Sequence, residues 1–273
     1  MSASARSPEM ESVKTRLKNI WMAGDYDRFS RYLESSARDF YERLNVAPGC
    51  QLLDVGCGSG QLALIAAKDG LEVTGVDIAS NLVERARARA QAEGLRARFE
   101  EADAEALPFE DESFDVVASL IAAMFAPRPD LVAKELLRVC VPAGTIAMAN
   151  WTPQGFIGQM FKTVSTFIAP SGMPSPVLWG DEPTVRERLG KGLSDLNLVR
   201  RHYVLSYPFP PSDVVEFFRR YYGPTTQAFA SLDADGRERL RRELEGLWSA
   251  HNRAGKDCTT VFAEYLEVIG IRA

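Results

Sequence analysis

Along the first fifty residues the apolar side chains recur at helical intervals. Leu17, Ile20 and Trp21, then Phe29, Leu33, Phe40, Tyr41 and Leu44, are separated by charged positions. Pro48-Gly49 closes this helical region. The pattern then changes to short apolar runs alternating with amphipathic stretches. Gln51–Val55 reads as a buried strand that leads through glycines into a helix around Leu62–Lys68, ended by Gly70. Glu72–Val76 is a second strand, and Asp77-Ile78-Ala79-Ser80 opens a helix through Ala92 that stops at Gly94. Arg96–Glu100 and Phe114–Leu120 follow as strands three and four. A helix around Asp130–Cys140 leads through Val141-Pro142-Ala143-Gly144 to a fifth strand, Thr145–Asn150. This alternation predicts an α/β fold with parallel strands, right-handed crossovers and helices on both faces: a doubly wound, mostly parallel sheet.

The regularity breaks after Trp151. Prolines 153, 170, 174, 176 and 183 and many aromatics make residues 152–182 an expected irregular excursion. A helix is expected at Glu187–Lys191, a strand at Leu198–Tyr207, helical stretches at about 212–222 and 225–253, and a last strand near Thr259–Ile269. Residues 1–8 read as a loose tail. The expected organisation is an N-terminal helical lid over residues 1–45 and a main domain over 46–273, with cap insertions at about 152–182 and 208–256.

A composition with 46% hydrophobic and 25% charged residues excludes extended disorder. The net charge of -5 gives no basic footprint, so no nucleic-acid partner is expected. The arginine clusters (Arg85, Arg87, Arg89 and Arg237, Arg239, Arg241, Arg242) read as solvated helix faces. Cys50, Cys57, Cys140 and Cys258 lie far apart without a CxxC pair, so neither a metal site nor a disulfide framework is expected. With no signal-peptide pattern and no long apolar span, a cytoplasmic protein without membrane insertion is expected.

Candidate chemistry begins at the run LLDVGCGSG, Leu52–Gly60. A glycine-rich turn from a strand into a helix lets a ligand approach the backbone and meet free N–H groups. Dinucleotide-binding folds use a similar device, but here the third glycine comes one residue too early for GxGxxG. Asp77, ending strand two, can accept hydrogen bonds from both hydroxyls of a ribose. Glu101-Ala102-Asp103-Ala104 lies just beyond strand three and suits the edge of an adenine.

LLDVGCGSG, then VTGVDIAS, then EADAEALPFEDESFDVV resemble the successive motifs of class I S-adenosylmethionine-dependent methyltransferases. The resemblance covers about residues 46–150 and is closest to the group containing ubiquinone and menaquinone C-methyltransferases. It implies a seven-stranded Rossmann-like sheet and S-adenosyl-L-methionine as cofactor. It further implies that Asp54, Gly56, Gly58, Ser59 and Gly60 bracket the methionine moiety and ribose, and that Asp77 and Ile78 hold ribose and adenine. Asp103 and Ala104 would meet the adenine edge, and Ser119 the methionine end. Val141-Pro142-Ala143-Gly144 departs from the family's usual Pro-Gly-Gly turn before strand five.

Methyl transfer from a sulfonium needs alignment, and a base only where the acceptor must first lose a proton. No catalytic residue is therefore assigned. His202 lies on an expected strand and His251 ends a charged helix, while Tyr221, Tyr222 and Tyr265 are further candidates. Most of the large apolar side chains in the insertions (Phe156, Met160, Phe161, Phe167, Met173, Trp179; Phe217, Phe218, Phe229, Trp248) read as core. The remainder, lining a cap, imply a small apolar or aromatic acceptor methylated on O, N or C. The N-terminal helix with Trp21, Tyr26 and Phe29 is expected to close over the cofactor, so that deleting residues 1–30 weakens cofactor binding. Alternatives are an RNA or protein methyltransferase, a non-catalytic S-adenosylmethionine-binding regulatory protein and, with less support, an NAD-dependent oxidoreductase.

Overall fold

A computed structural model describes residues 8–169 and 172–273; the tail expected at 1–8 falls outside them except for Pro8, which opens the first helix. The described residues form a seven-stranded sheet of order β3-β2-β1-β4-β5-β7-β6. Its strands are β1 (Gln51–Val55), β2 (Glu72–Asp77), β3 (Ala97–Glu101), β4 (Phe114–Leu120), β5 (Cys140–Trp151), β6 (Leu193–Tyr207) and β7 (Thr259–Arg272). β1 to β5 pair in parallel, whereas β7 runs antiparallel to both β5 and β6. This is the doubly wound class I methyltransferase architecture.

Helices flank the sheet: α1 (Pro8–Met22), α2 (Tyr26–Ser30), α3 (Glu34–Leu44), α4 (Gln61–Lys68), α5 (Ser80–Ala92) and α6 (Pro129–Val139). The rest are α7 (Phe156–Ser165), α8 (Glu182–Leu189), α9 (Pro211–Tyr221), α10 (Gly223–Ala230) and α11 (Ala234–His251). Periodicity decides which face each one buries. α6 places Val132, Ala133, Leu136 and Val139 inside, one stripe of an amphipathic helix. α5 does the same with Leu82, Val83, Ala86 and Ala90. Each large aliphatic side chain buried this way contributes roughly 1.5–3 kcal/mol of transfer free energy. No helix among the described residues is long and apolar enough to cross a membrane.

Several local expectations are corrected. Part of the 152–182 excursion is helical: α7 fits in the proline-free stretch between Pro153 and Pro170. The helix expected at Glu187–Lys191 starts earlier, at Glu182, because the Asp181 carboxylate accepts the Thr184 N–H and Oγ1–H and caps it. The single stretch expected over 225–253 is two helices. β5 begins directly at Cys140, and residues 141–144 form an irregularity in its pairing with β4, with Ala143 at φ 60°.

The fold sets up one crevice. β1 pairs with β2 on one side and β4 on the other, so the connections leaving β1 and β4 diverge. At such a switch point the carboxyl ends of the strands open into a cleft.

Candidate functional site

The cleft is built on the β1–α4 loop. The N–H groups of Gly56 and Cys57 both donate to the Val76 carbonyl, at 2.7 and 2.9 Å, pinning the loop to the end of β2. Gly56 has φ 76°, and a Cβ there would lie 2.3 Å from the Ala122 Cβ, so only glycine fits. Asp77 then fastens the loop from the other side. Its carboxylate accepts the Gly58 N–H and the Ala79 N–H, each at 2.9 Å.

Seven of the ten residues singled out in the sequence line one cavity: Asp54, Gly56, Gly58, Asp77, Ile78, Asp103 and Ala104. The other three lie beside or beneath it. The Ser119 hydroxyl donates to the Val55 carbonyl at 2.8 Å and accepts the Ala123 N–H at 2.9 Å, a buried strut between β1 and the β4 exit. Ser59 is fully buried and its hydroxyl accepts from the Gln61 amide at 2.8 Å. Gly60 caps α4 in the left-handed region.

The roof was not assigned from the cofactor motifs. Lys14, Leu17 and Trp21 of α1 and Tyr26 of α2 line the same cavity, opposite the 120–127 segment with Ile121 and Phe125. Lys14 Nζ pairs with Asp103 and, at 2.8 Å, with the buried carboxylate of Glu105; Lys18 pairs with Glu101. Glu105 in turn accepts the Arg128 N–H at 2.6 Å and its Nε–H at 2.7 Å. Asp103 also accepts the Glu105 N–H at 2.9 Å. Arg89 departs from the expected solvated face. It donates to the Ser59 carbonyl at 3.1 Å and to Glu34 at 2.8 Å.

Ile121 adopts φ 53°, a left-handed conformation that is strained for a β-branched residue and costs on the order of 1–3 kcal/mol. Its N–H is held by the Ala149 carbonyl at 2.9 Å, which keeps its side chain on the cavity wall.

Burial shapes the acids. Asp54 is pushed up to about 7 by desolvation, against the pull of its 3.1 Å hydrogen bond from the Ala63 N–H and with the charge of Asp77 adding to the rise. Asp77 is raised by burial too, opposed by the Ala79 and Gly58 N–H groups. A carboxyl raised in the fold stays protonated while the unfolded chain ionises. Asp54 therefore adds stability below its unfolded pKa near 4, and that increment is lost as pH climbs to about 7. Urea midpoints at pH 5 and pH 7.5 should reveal the loss as a difference between wild type and Asp54→Asn, on the order of 2–3 kcal/mol. Parallel midpoints in both proteins would dismiss the assignment.

Of the five candidate bases, Tyr222 lines a neighbouring apolar void, and the other four lie elsewhere. His202 stands against Phe262, and His251 Nδ1 faces the Leu247 carbonyl at 3.0 Å. Tyr265 accepts from Arg43 at 2.6 Å, and Tyr221 carries the Arg28 guanidinium over its ring. Neither histidine nor either of these tyrosines lines the cavity.

Comparison with known proteins agrees with this geometry. Residues 53–148 match the family described as a methyltransferase domain. An uncharacterized protein of Mycobacterium tuberculosis is 34% identical over 235 residues, spanning 85% of this chain and 86% of that protein. A 2-methyl-6-phytyl-1,4-hydroquinone methyltransferase of Synechocystis is 46% identical over 105 residues, 38% of this chain and 33% of that one. The crystal structure of the YcgJ protein from Bacillus subtilis superposes with a TM-score of 0.61 at 20% identity, covering 87% of this chain and 98% of that chain, a likeness of fold. The chain belongs to one family with this mycobacterial protein, and it carries a methyltransferase domain at residues 53–148 on a class I methyltransferase fold.

Proposed function

We propose that this chain transfers a methyl group from S-adenosyl-L-methionine to a small apolar or aromatic metabolite bound beside the β1–α4 loop. The observation that carries the reading is that Asp77 and Asp103 stand on the wall of one cavity, together with the glycine loop. The residues suit the cofactor. Asp77 is the acceptor for two ribose hydroxyls, and Ile78 and Ala104 offer apolar contact to a purine. Two protein donors occupy Asp103, and a carboxylate has about four acceptor sites, so it retains capacity for an exocyclic amine. Gly56 and Gly58 bring backbone to the methionine portion, where Asp54 faces its ammonium. Ser59, Gly60 and Ser119 act from behind by holding that backbone.

When bound, S-adenosylmethionine supplies a methyl group already activated on a sulfonium. What the chain adds is alignment in a dry compartment, which alone can lower such a barrier by roughly 7–11 kcal/mol. Calorimetric titration tests this: S-adenosylhomocysteine should bind and NADH should not, and the reverse order would refute it. The match to the hydroquinone methyltransferase spans a third of that protein, so an acceptor of the quinol kind is one choice within the proposed class.

The lid reading rests on Lys14 and Lys18, which tie α1 to acids at and beyond the end of β3. Replacing both lysines by methionine should speed S-adenosylhomocysteine release about tenfold in stopped flow, and deleting residues 1–30 should weaken binding further. Part of this latch is buried, and removing one partner of such a pair costs more than the roughly 0–1 kcal/mol of an exposed pair because the remaining charge loses its counter-ion. An unchanged release rate would leave α1 without a closing role.

A further inference from the structure

Behind the cofactor cavity lies a second void, and the two share a wall. Trp21, Tyr26, Ile121 and Phe125 line both. The inner void adds side chains from β5, β6, α7 and α9, among them Trp151, Leu205 and Ile157. Among the described residues its lining carries no charged side chain, and seven of its twelve residues are aromatic. Its ionisable groups are the tyrosines Tyr26 and Tyr222, both kept protonated by burial.

Resting on the methyltransferase reading above, we propose that this inner void is the acceptor chamber and that it selects an uncharged, ring-bearing molecule. An anion would enter without a cationic partner and lose its hydration uncompensated. A cation would find aromatic faces, which attract cations. Yet it would have to react beside the cofactor's own sulfonium, whose like charge repels it in a dry site. A neutral ring meets neither obstacle, and rings pack edge-to-face against walls such as Trp21 and Phe125, themselves 4.9 Å apart. Ile121, held in its left-handed turn, stands where the two compartments meet and sets how far a ring can advance.

The void measures about 30 Å³, room for about two waters. Admission of a ring therefore requires a wall to move. On the proposed reading the wall that yields is the N-terminal segment, which supplies Trp21 and Tyr26 to both compartments and meets the second insertion backbone to backbone. The Asp25 N–H donates to the Tyr221 carbonyl at 3.3 Å, and a Cβ on Gly223 would lie 1.9 Å from the Ile20 carbonyl oxygen.

The test uses the full chain loaded with S-adenosylhomocysteine. N-phenyl-1-naphthylamine, neutral and fluorescent in apolar surroundings, should bind at least tenfold more tightly than phenyltrimethylammonium or 1-naphthalenesulfonate. Energy transfer from Trp21 and Trp151 reports its position. Leu205→Trp and Ile157→Trp, each filling the void, should weaken the neutral probe at least tenfold, with S-adenosylhomocysteine affinity within threefold of wild type as the control for folding. Should Leu205→Trp fail to fold, Ile157→Trp at the helical wall decides alone. Equal or stronger binding of either charged probe overturns the proposal, as does a filled void that leaves the neutral probe unaffected. Wild type that binds S-adenosylhomocysteine but not the neutral probe overturns this proposal alone; failure to bind S-adenosylhomocysteine overturns the cofactor reading instead.

Discussion

Replacing Asp77 by alanine will weaken S-adenosylhomocysteine binding by 10²-fold or more, the largest effect expected of any single side chain here. Two charge-assisted hydrogen bonds to ribose hydroxyls at roughly 1.5–3 kcal/mol each would account for that loss. The same carboxylate holds the Gly58 N–H at 2.9 Å, so the alanine variant also frees the loop. Asp77→Asn separates the two causes: it keeps one carbonyl oxygen for the loop but removes the charge, and should retain folding while losing most of the affinity. Asp103→Asn should cost less, about five- to tenfold, because Lys14 and the Glu105 N–H already share that carboxylate. Calorimetry with both variants decides; an Asp77→Ala affinity within threefold of wild type would remove the ribose assignment.

Gly56→Ala should destabilise the fold by about 2–5 kcal/mol and abolish measurable cofactor binding. The left-handed φ of 76° costs an L-residue on the order of 1–2 kcal/mol, and the 2.3 Å approach to Ala122 adds an overpacking cost of about 1–3 kcal/mol. Relief requires the 120–123 turn to retreat, and that turn carries Ile121 and is fastened through Ser119. Gly94→Ala provides the control, with φ 65° but open space around the new methyl group. Thermal unfolding should show the Gly56 variant lowered by roughly 5–15 °C and the Gly94 variant by a few degrees. Similar midpoints for the two would show that crowding against Ala122 is not what excludes alanine at position 56.

The parallel half of the sheet was legible because buried strands announce themselves as short apolar runs between glycines, as Leu52–Val55 do. Later elements were harder to read for identifiable reasons. β6 extends back to Leu193, but it is an edge strand whose first half is largely exposed, so its apolar alternation starts late. α7 was hidden by prolines that flank it without interrupting it. At the site, the motif residues on the strand ends were readable because backbone geometry fixes them locally. Trp21 and Tyr26 were expected over the cofactor from the amphipathic pattern of their helical region, but no local rule tied Lys14 to Asp103 or Tyr26 to Gly58. These pairs meet only through tertiary packing across tens of residues, and sequence spacing carries no record of that.

Arg89 has a consequence for anyone who would rebuild this molecule. One guanidinium joins the carbonyl of Ser59, in the cofactor loop, to Glu34 at the start of α3. The same guanidinium lies 3.7 Å from Asp27 of α2, so the cofactor loop is tied to the roof as well as to α3. A roof transplanted from a relative with different acceptor preference would bring its own aromatic lining but not this tether. Chimeras joined near residue 46 should work only when the donor roof keeps an acid at position 34 or the host surrenders its arginine.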